Sequence, residues 1–306
     1  MILRALLVGT FIAAITSAAN ADCGSETDFV TGLLRQTGYS VVDEGEKSES
    51  NGQCRVAGLV LREDNIQLEI EEIKWAVSGI DALETGEGTV ALEVDLDNLR
   101  MVPQMEDPWF DYMMREQNRR SLIDGRLSAS WDFGSGVFSL RELVIDLPGK
   151  NRVSLSSRTE GMSPDLLTGA MGSLGDVALA AFDLEIENHG FLDGAVLGYL
   201  VGNYSGSAGT PEAVVDGAKK QARAWVADLP DAAFPPSSKA ALNAMIDDAP
   251  VPWGVLNVSI ESDAPINLAM LPGMGIVSGL AEPATLEEAL SGAYIDVRFE
   301  LSEGVE

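Results

Sequence analysis

The stretch GRLSASWDFGSGVFSLRELVIDLPGKNRVSLSSR, Gly125–Arg158, decides how the chain reads. Leu127, Ala129, Trp131 and Phe133 alternate with Arg126, Ser128, Ser130 and Asp132. A period of two marks a half-buried antiparallel strand, with one face in a core and one in water. Gly134-Ser135-Gly136 and Pro148-Gly149-Lys150-Asn151 place glycines where tight reversals need them. The stretch is a β-meander.

Upstream, the same alternation predicts strands over Arg55–Arg62, Ile66–Val77 and Thr89–Met101, with a polar loop at Glu44–Gln53. In three strands a pair of adjacent polar residues shifts the phase. Glu71-Glu72 separates Ile66, Leu68 and Ile70 from Ile73, Trp75 and Val77. Asp97-Asn98 and Arg141-Glu142 do the same in the third strand and in the meander. Such a shift is the mark of a β-bulge or of a strand passing an edge.

Between these regions lies DPWFDYMMREQNRR, Asp107–Arg120. Asp107 is placed to cap a helix, Pro108 suits its first position, and Arg115, Arg119 and Arg120 complement its C-terminal end. Trp109, Phe110 and Met113 share a face, which reads first as core and second as a ligand or partner surface.

Downstream the chain becomes helix-rich from Ser163 to Asp248, interrupted by an alternating strand at Phe182, Leu184 and Ile186. Gly194, Gly198 and Gly202, spaced by four, permit close backbone packing. Thr210-Pro211-Glu212 starts a helix whose buried face is Val214, Ala218, Ala222, Trp225 and Val226. Another begins near Ser237. Strands return at Val255–Ile260, Ile266–Leu271 and Tyr294–Leu301. The apolar, Gly-rich LPGMGIVSGL at Leu271–Leu280 is either a buried crossover or an exposed lip.

The first residues read as a secretory leader: Arg4, an apolar run from Ala5 to Ile15, and a small-x-small site that places cleavage between Ala21 and Asp22. The expected destination is the periplasm, with no transmembrane segment in the mature chain. Cys23 and Cys54 are the only cysteines, and an oxidising compartment pairs them as a disulfide from an N-terminal helix to the first strand. The formal charge is −28. Such an acidic surface repels phosphate backbones and anionic headgroups, which excludes nucleic acid as a partner.

Catalytic signatures are sparse. His189 is the only histidine, so no multi-histidine zinc site can form, and neither H-E-x-x-H nor a G-x-S-x-G elbow is present. His189 reads as a turn residue between a strand and a helix. Gly273-Met274-Gly275 lacks the context of a dinucleotide fingerprint. Glu93, Asp95 and Asp97 share a strand face, which reads as solvated surface ahead of a calcium site. No cofactor or metal is expected.

Three stretches carry a resemblance: DLPGKNRVSLSSRTEG, LEIENHGFLDGAVLGYLVG, and ALNAMIDDAPVPWGVLNVSIESDAPINLAML, the last looking like a helix, a turn and a hairpin. Their order is similar to that in a family of exported alphaproteobacterial proteins. More distantly, the amphipathic strands resemble AsmA-like envelope proteins, which carry lipids along a β-groove. The resemblance carries over no site residue.

The expected fold is α+β: curved antiparallel sheet or meander with a helical cluster packed on it. The expected segments are a leader at 1–21, an N-terminal helix plus sheet at 22–162, a helix-rich segment at 163–250, and C-terminal strands at 251–306 that complete one composite domain. The leading functional expectation is a non-enzymatic envelope protein that binds lipid or another hydrophobic ligand in a groove. The alternatives are an interaction or scaffold module with an envelope-protein partner, using a strand edge or the Trp109–Met114 face, and lastly a carboxylate-dependent hydrolase.

Overall fold

The computed structural model describes residues 38–50, 52–79, 85–104, 107–163, 177–191, 210–267 and 285–302, with Cys23, Arg35, Ala82 and Asp193. The expected leader with its cleavage site at Ala21 and Asp22, most of the expected N-terminal helix, the glycine series at 194, 198 and 202, and the loop 271–280 lie outside the described residues. The chain divides into two compact units, Met1–Pro148 with Met162–Ala170, and Gly149–Gly161 with Met171–Glu306. Antiparallel sheet dominates the described residues of both, and the helices are few.

In the first unit the strands are β1 (Ser40–Asp43), β2 (Glu46–Ser50), β3 (Gln53–Glu63), β4 (Ile66–Ser78), β5 (Thr89–Pro103), β6 (Ile123–Asp132) and β7 (Val137–Leu147). Their order is β1-β3-β4-β5-β6-β7, with β2 also on β3. From β2 onward each strand pairs with the next in sequence, while β1 pairs with β3. The segment expected as a polar loop is in part β2, a hairpin partner of β3 in which Ser50 faces Gln53. EKSES has no apolar alternation, so its strand state comes from backbone pairing along the β3 edge. β1 and β2 share that edge, separated at Gly45, where φ is +68° and a Cβ would lie 2.4 Å from the Ala57 carbonyl oxygen. Helix α1 (Pro108–Asn118) connects β5 to β6 and packs on β5. Its cap is as expected: the Asp107 carboxylate accepts from the Trp109 and Phe110 amides at 2.9 and 3.0 Å.

The second unit holds β8 (Asn151–Glu160), β9 (Ala178–Asn188), β10 (Gly254–Asn267) and β11 (Ala293–Leu301), bonded in that order. Its helices are α2 (Pro211–Asp228), α3 (Pro236–Asp248) and the short α4 (Leu286–Ala289). The hairpin expected within 255–271 is, as far as Asn267, one strand. Both parts of β10 pair with β9, and the register shifts between Glu261 and Ile266. Val226 of α2 is buried as expected, but Trp225 is 59% exposed. α3 packs on β11, where Ala233, Ile266, Leu290, Ala293, Ile295 and Val297 form a core.

Ser238 shows how that unit ends its sheet. Its side chain is fully buried; the hydroxyl donates to the Ile295 carbonyl at 3.0 Å and accepts from the Val297 amide at 2.9 Å. The Ile295 amide donates to Ala233 O at 2.8 Å. Helix and turn thus supply the partners that another strand would have supplied. Ser238→Ala removes one partner from each of two backbone groups. The expected cost is about 2 kcal/mol by urea denaturation, with faster hydrogen exchange at the Val297 amide.

A second polar knot closes the far end of β9. Asn151 is buried, and its side-chain oxygen accepts from the backbone amides of His189 and Phe191. Asn188, also buried, donates to Pro252 O at 2.7 Å, and the Trp253 indole N–H donates to Asp193 at 2.8 Å. His189 stands in the turn after β9, held there through its backbone.

Candidate functional site

The apolar face of the first unit is built from cross-strand rows. One runs Cys54–Trp75–Val94–Leu127–Leu143, each residue opposite the next in β3 to β7. The neighbouring row is Val56–Ile73–Leu96–Gly125–Ile145. Beyond the phase shift come Leu59–Ile70–Leu99–Ile123 and then Leu61–Leu68–Met101. Opposed aliphatic and aromatic pairs of this kind are the unit of sheet stabilisation.

The phase shift has a structural cause. Gly58 in β3 and Asn98 in β5 lie opposite Glu71, and both adopt left-handed backbone, with φ of +79° and +55°. Only glycine, and less often Asn or Asp, takes that conformation without a large penalty. Asn98 is further held by its amide, which donates to Asp124 at 2.7 Å, and by its side chain, which donates to Glu71 at 2.9 Å. Bulges stand at two of the three expected pairs. The β5–β6 register shifts between Leu96 and Leu99, and the β6–β7 register between Ser128 and Ala129, opposite Arg141-Glu142. At Glu71-Glu72, β4 keeps one register with β5 throughout, because its neighbours change phase alongside it. The apolar rows on either side of the shift therefore pack into one cluster.

Cover over this face is uneven. On the β3 side Cys54, Val56, Leu59 and Leu61 are buried together with Tyr39 and Cys23, whose disulfide to Cys54 spans Cα atoms 5.2 Å apart. Burial, and then hydrogen bonding to Glu63, push the Tyr39 hydroxyl up to about 12. Toward β5, β6 and β7 the cover thins along part of these rows: Ile73, Val94, Leu96, Leu127, Ile145 and Leu147 remain partly open, whereas Leu99, Ile123 and Leu143 are buried. Gly125 contributes no side chain, and Leu96 lies over it. The result is an aliphatic strip bordered by a packed core. It offers dispersion and apolar burial.

The opposite face is ionic. Arg55 and Lys74 both grip Glu72, and Lys74 also reaches Asp97 at 3.4 Å. Arg141 lies 3.8 Å from Glu93, and Asp95 stands opposite Lys74 and Arg126 in the ladder. The acidic strand face of Glu93, Asp95 and Asp97 thus meets cations of its own chain. Among the described residues no group of three or more His, Cys, Asp or Glu is arranged to hold a metal ion. Hydrogen bonds from Lys74 and then Arg55 hold Glu72 below its ordinary value of 4.5. A depressed carboxylate contributes stability above its unfolded value and loses it as pH falls through the folded one. The stability difference between wild type and Glu72→Gln, measured by urea denaturation, should be present at pH 7 and vanish toward pH 3.

α1 departs from its expected core role. None of its residues is buried, and Trp109, Tyr112 and Met113 are 82%, 57% and 44% exposed. Phe110 is half-buried. Tyr112 was not singled out from the sequence; its place three residues after Trp109 was the available signal. No helix among the described residues is long and apolar enough to cross a membrane. Compared with known proteins, the chain matches no family model and no curated sequence significantly.

Proposed function

We propose that this protein is a non-enzymatic envelope protein that holds a lipid or another hydrophobic ligand against the apolar face of β4 to β7. One observation carries the reading: the mid-strand aliphatics Val94, Leu96, Leu127 and Ile145 continue the buried rows of β3 yet stay half-open. A strip of this kind gains about 25 cal/mol for each Å² of apolar surface covered, which an acyl chain supplies without any polar partner. The disulfide supports an oxidising destination, as the leader-like N-terminus does. The AsmA-like resemblance of the amphipathic strands points to the same ligand class.

The test is the native mass of protein purified from its own envelope without detergent, followed by extraction of anything bound. A stoichiometric lipid is expected. Leu127→Thr combined with Ile145→Thr keeps β propensity while removing apolar surface, and should cut occupancy about tenfold with cooperative unfolding retained. A clean apo mass, or occupancy unchanged in the double variant, overturns the reading.

A further inference from the structure

The exposed stripe of α1 has a chemistry of its own. Trp109, Tyr112 and Met113 stand at helical spacings i, i+3 and i+4 and form one outward face, while the helix packs on β5. The end of that helix is basic in a chain that is otherwise acidic. Arg115, Arg119 and Arg120 are three of only 20 Lys and Arg residues, set against 48 Asp and Glu. All three are exposed; Glu116 lies 3.6 Å from Arg119 and is the one acidic residue within that turn, while Asp111 sits a turn earlier and Asp107 is occupied as the cap.

Two occupants could cover such a stripe. A second copy of the chain would need roughly 800 Å² from each partner for a stable interface, more than three side chains on a short helix offer. A bilayer surface asks for no shape complementarity. Trp and Tyr favour headgroup depth, an apolar side chain such as Met enters the acyl boundary, and Arg pairs with lipid phosphate. We propose that α1 docks on a phospholipid bilayer surface, with Trp109, Tyr112 and Met113 inserted at the interface and Arg115, Arg119 and Arg120 on the phosphates. Screening confines each charge to about 8–10 Å, so the acidic remainder of a chain of net charge −28 does not oppose docking by the basic helix end.

The experiment is flotation of the mature full-length protein with zwitterionic phosphatidylethanolamine/phosphatidylcholine vesicles, with and without phosphatidylglycerol. Binding to the zwitterionic vesicles is expected. Trp109→Ala, Tyr112→Ala and Met113→Ala together should weaken it at least tenfold, and Arg115→Gln, Arg119→Gln and Arg120→Gln together about as much. Because these side chains are exposed, both variants should unfold at the wild-type denaturant midpoint, which separates lost docking from lost fold. Absence of wild-type binding at millimolar lipid, or equal binding by either triple variant, overturns the proposal. So does a stable dimer that the aromatic triple variant dissolves, since the stripe would then belong to a second copy. The outcome is independent of the ligand face: the Leu127 and Ile145 double variant should lose bound lipid and still float, and the α1 variants should keep bound lipid and fail to float.

Discussion

Trp131→Ala is expected to destabilise the protein by about 3–5 kcal/mol, the usual range for deleting a buried aromatic. Trp131 is 4% exposed on β6, with its ring centroid 4.5 Å from that of Phe133 and tilted 37°. Val90 and Phe138 stand opposite it on the flanking strands, and Ala82, Val77 and Met162 complete the cluster. Removal leaves a cavity that strands on both sides cannot close without breaking register. The indole N–H adds a second term, because it is buried without an acceptor. Trp131→Phe gives up volume but also removes that unsatisfied donor. Its expected cost is within about 1.5 kcal/mol of wild type. Urea denaturation of both variants checks the pair. An alanine cost below 1 kcal/mol would show that this end of the sheet is not a packed core.

Reduction of the Cys23–Cys54 bond is the other large effect. The two cysteines are 31 residues apart in sequence, so opening the bond returns the closure entropy of that loop to the unfolded chain. The chain-entropy relation puts this at about 3.5–4 kcal/mol. The loss should be read as a lower denaturation midpoint in the presence of reductant. Cys23→Ala with Cys54→Ala should reproduce it, and reductant should have no further effect on that variant. Packing adds to the covalent constraint, because both sulfurs sit in the core with Tyr39, Val56 and Trp75.

Much of this architecture was legible because its signals are local. The alternation through Leu127, Ala129 and Trp131 gave the meander. Asp107 and Thr210 announced their helices by cap chemistry, and Asp97-Asn98 and Arg141-Glu142 announced bulges by breaking the phase. What was missed depends on partners far away in sequence. β2 is polar on every residue and is a strand only because β3 lies beside it. Gly58 shifts β3 in step with Asn98, and nothing around it in the sequence reveals that it faces Glu71. Ser238 looks like an ordinary residue in the first turn of a helix, and its burial follows from where β11 passes. For the candidate site, the aliphatic strand faces were readable. Their uneven cover was not, since periodicity reports which way a side chain points and not what lies above it. The α1 stripe was read as Trp109, Phe110 and Met113, whereas the exposed set is Trp109, Tyr112 and Met113.

The Ser238 bridge has a consequence beyond stability. A terminal strand with free amides and carbonyls is a template on which another chain can grow, and a folding chain passes through partly folded states that expose such edges. With the Ser238 hydroxyl lodged between Ile295 and Val297, and the Ala233 carbonyl on the Ile295 amide, three backbone groups in the first half of β11 are already paired and closed to a newcomer. One buried oxygen thus limits polymerisation: it marks where the sheet stops, and helps keep a strand-rich protein from becoming the seed of a fibre.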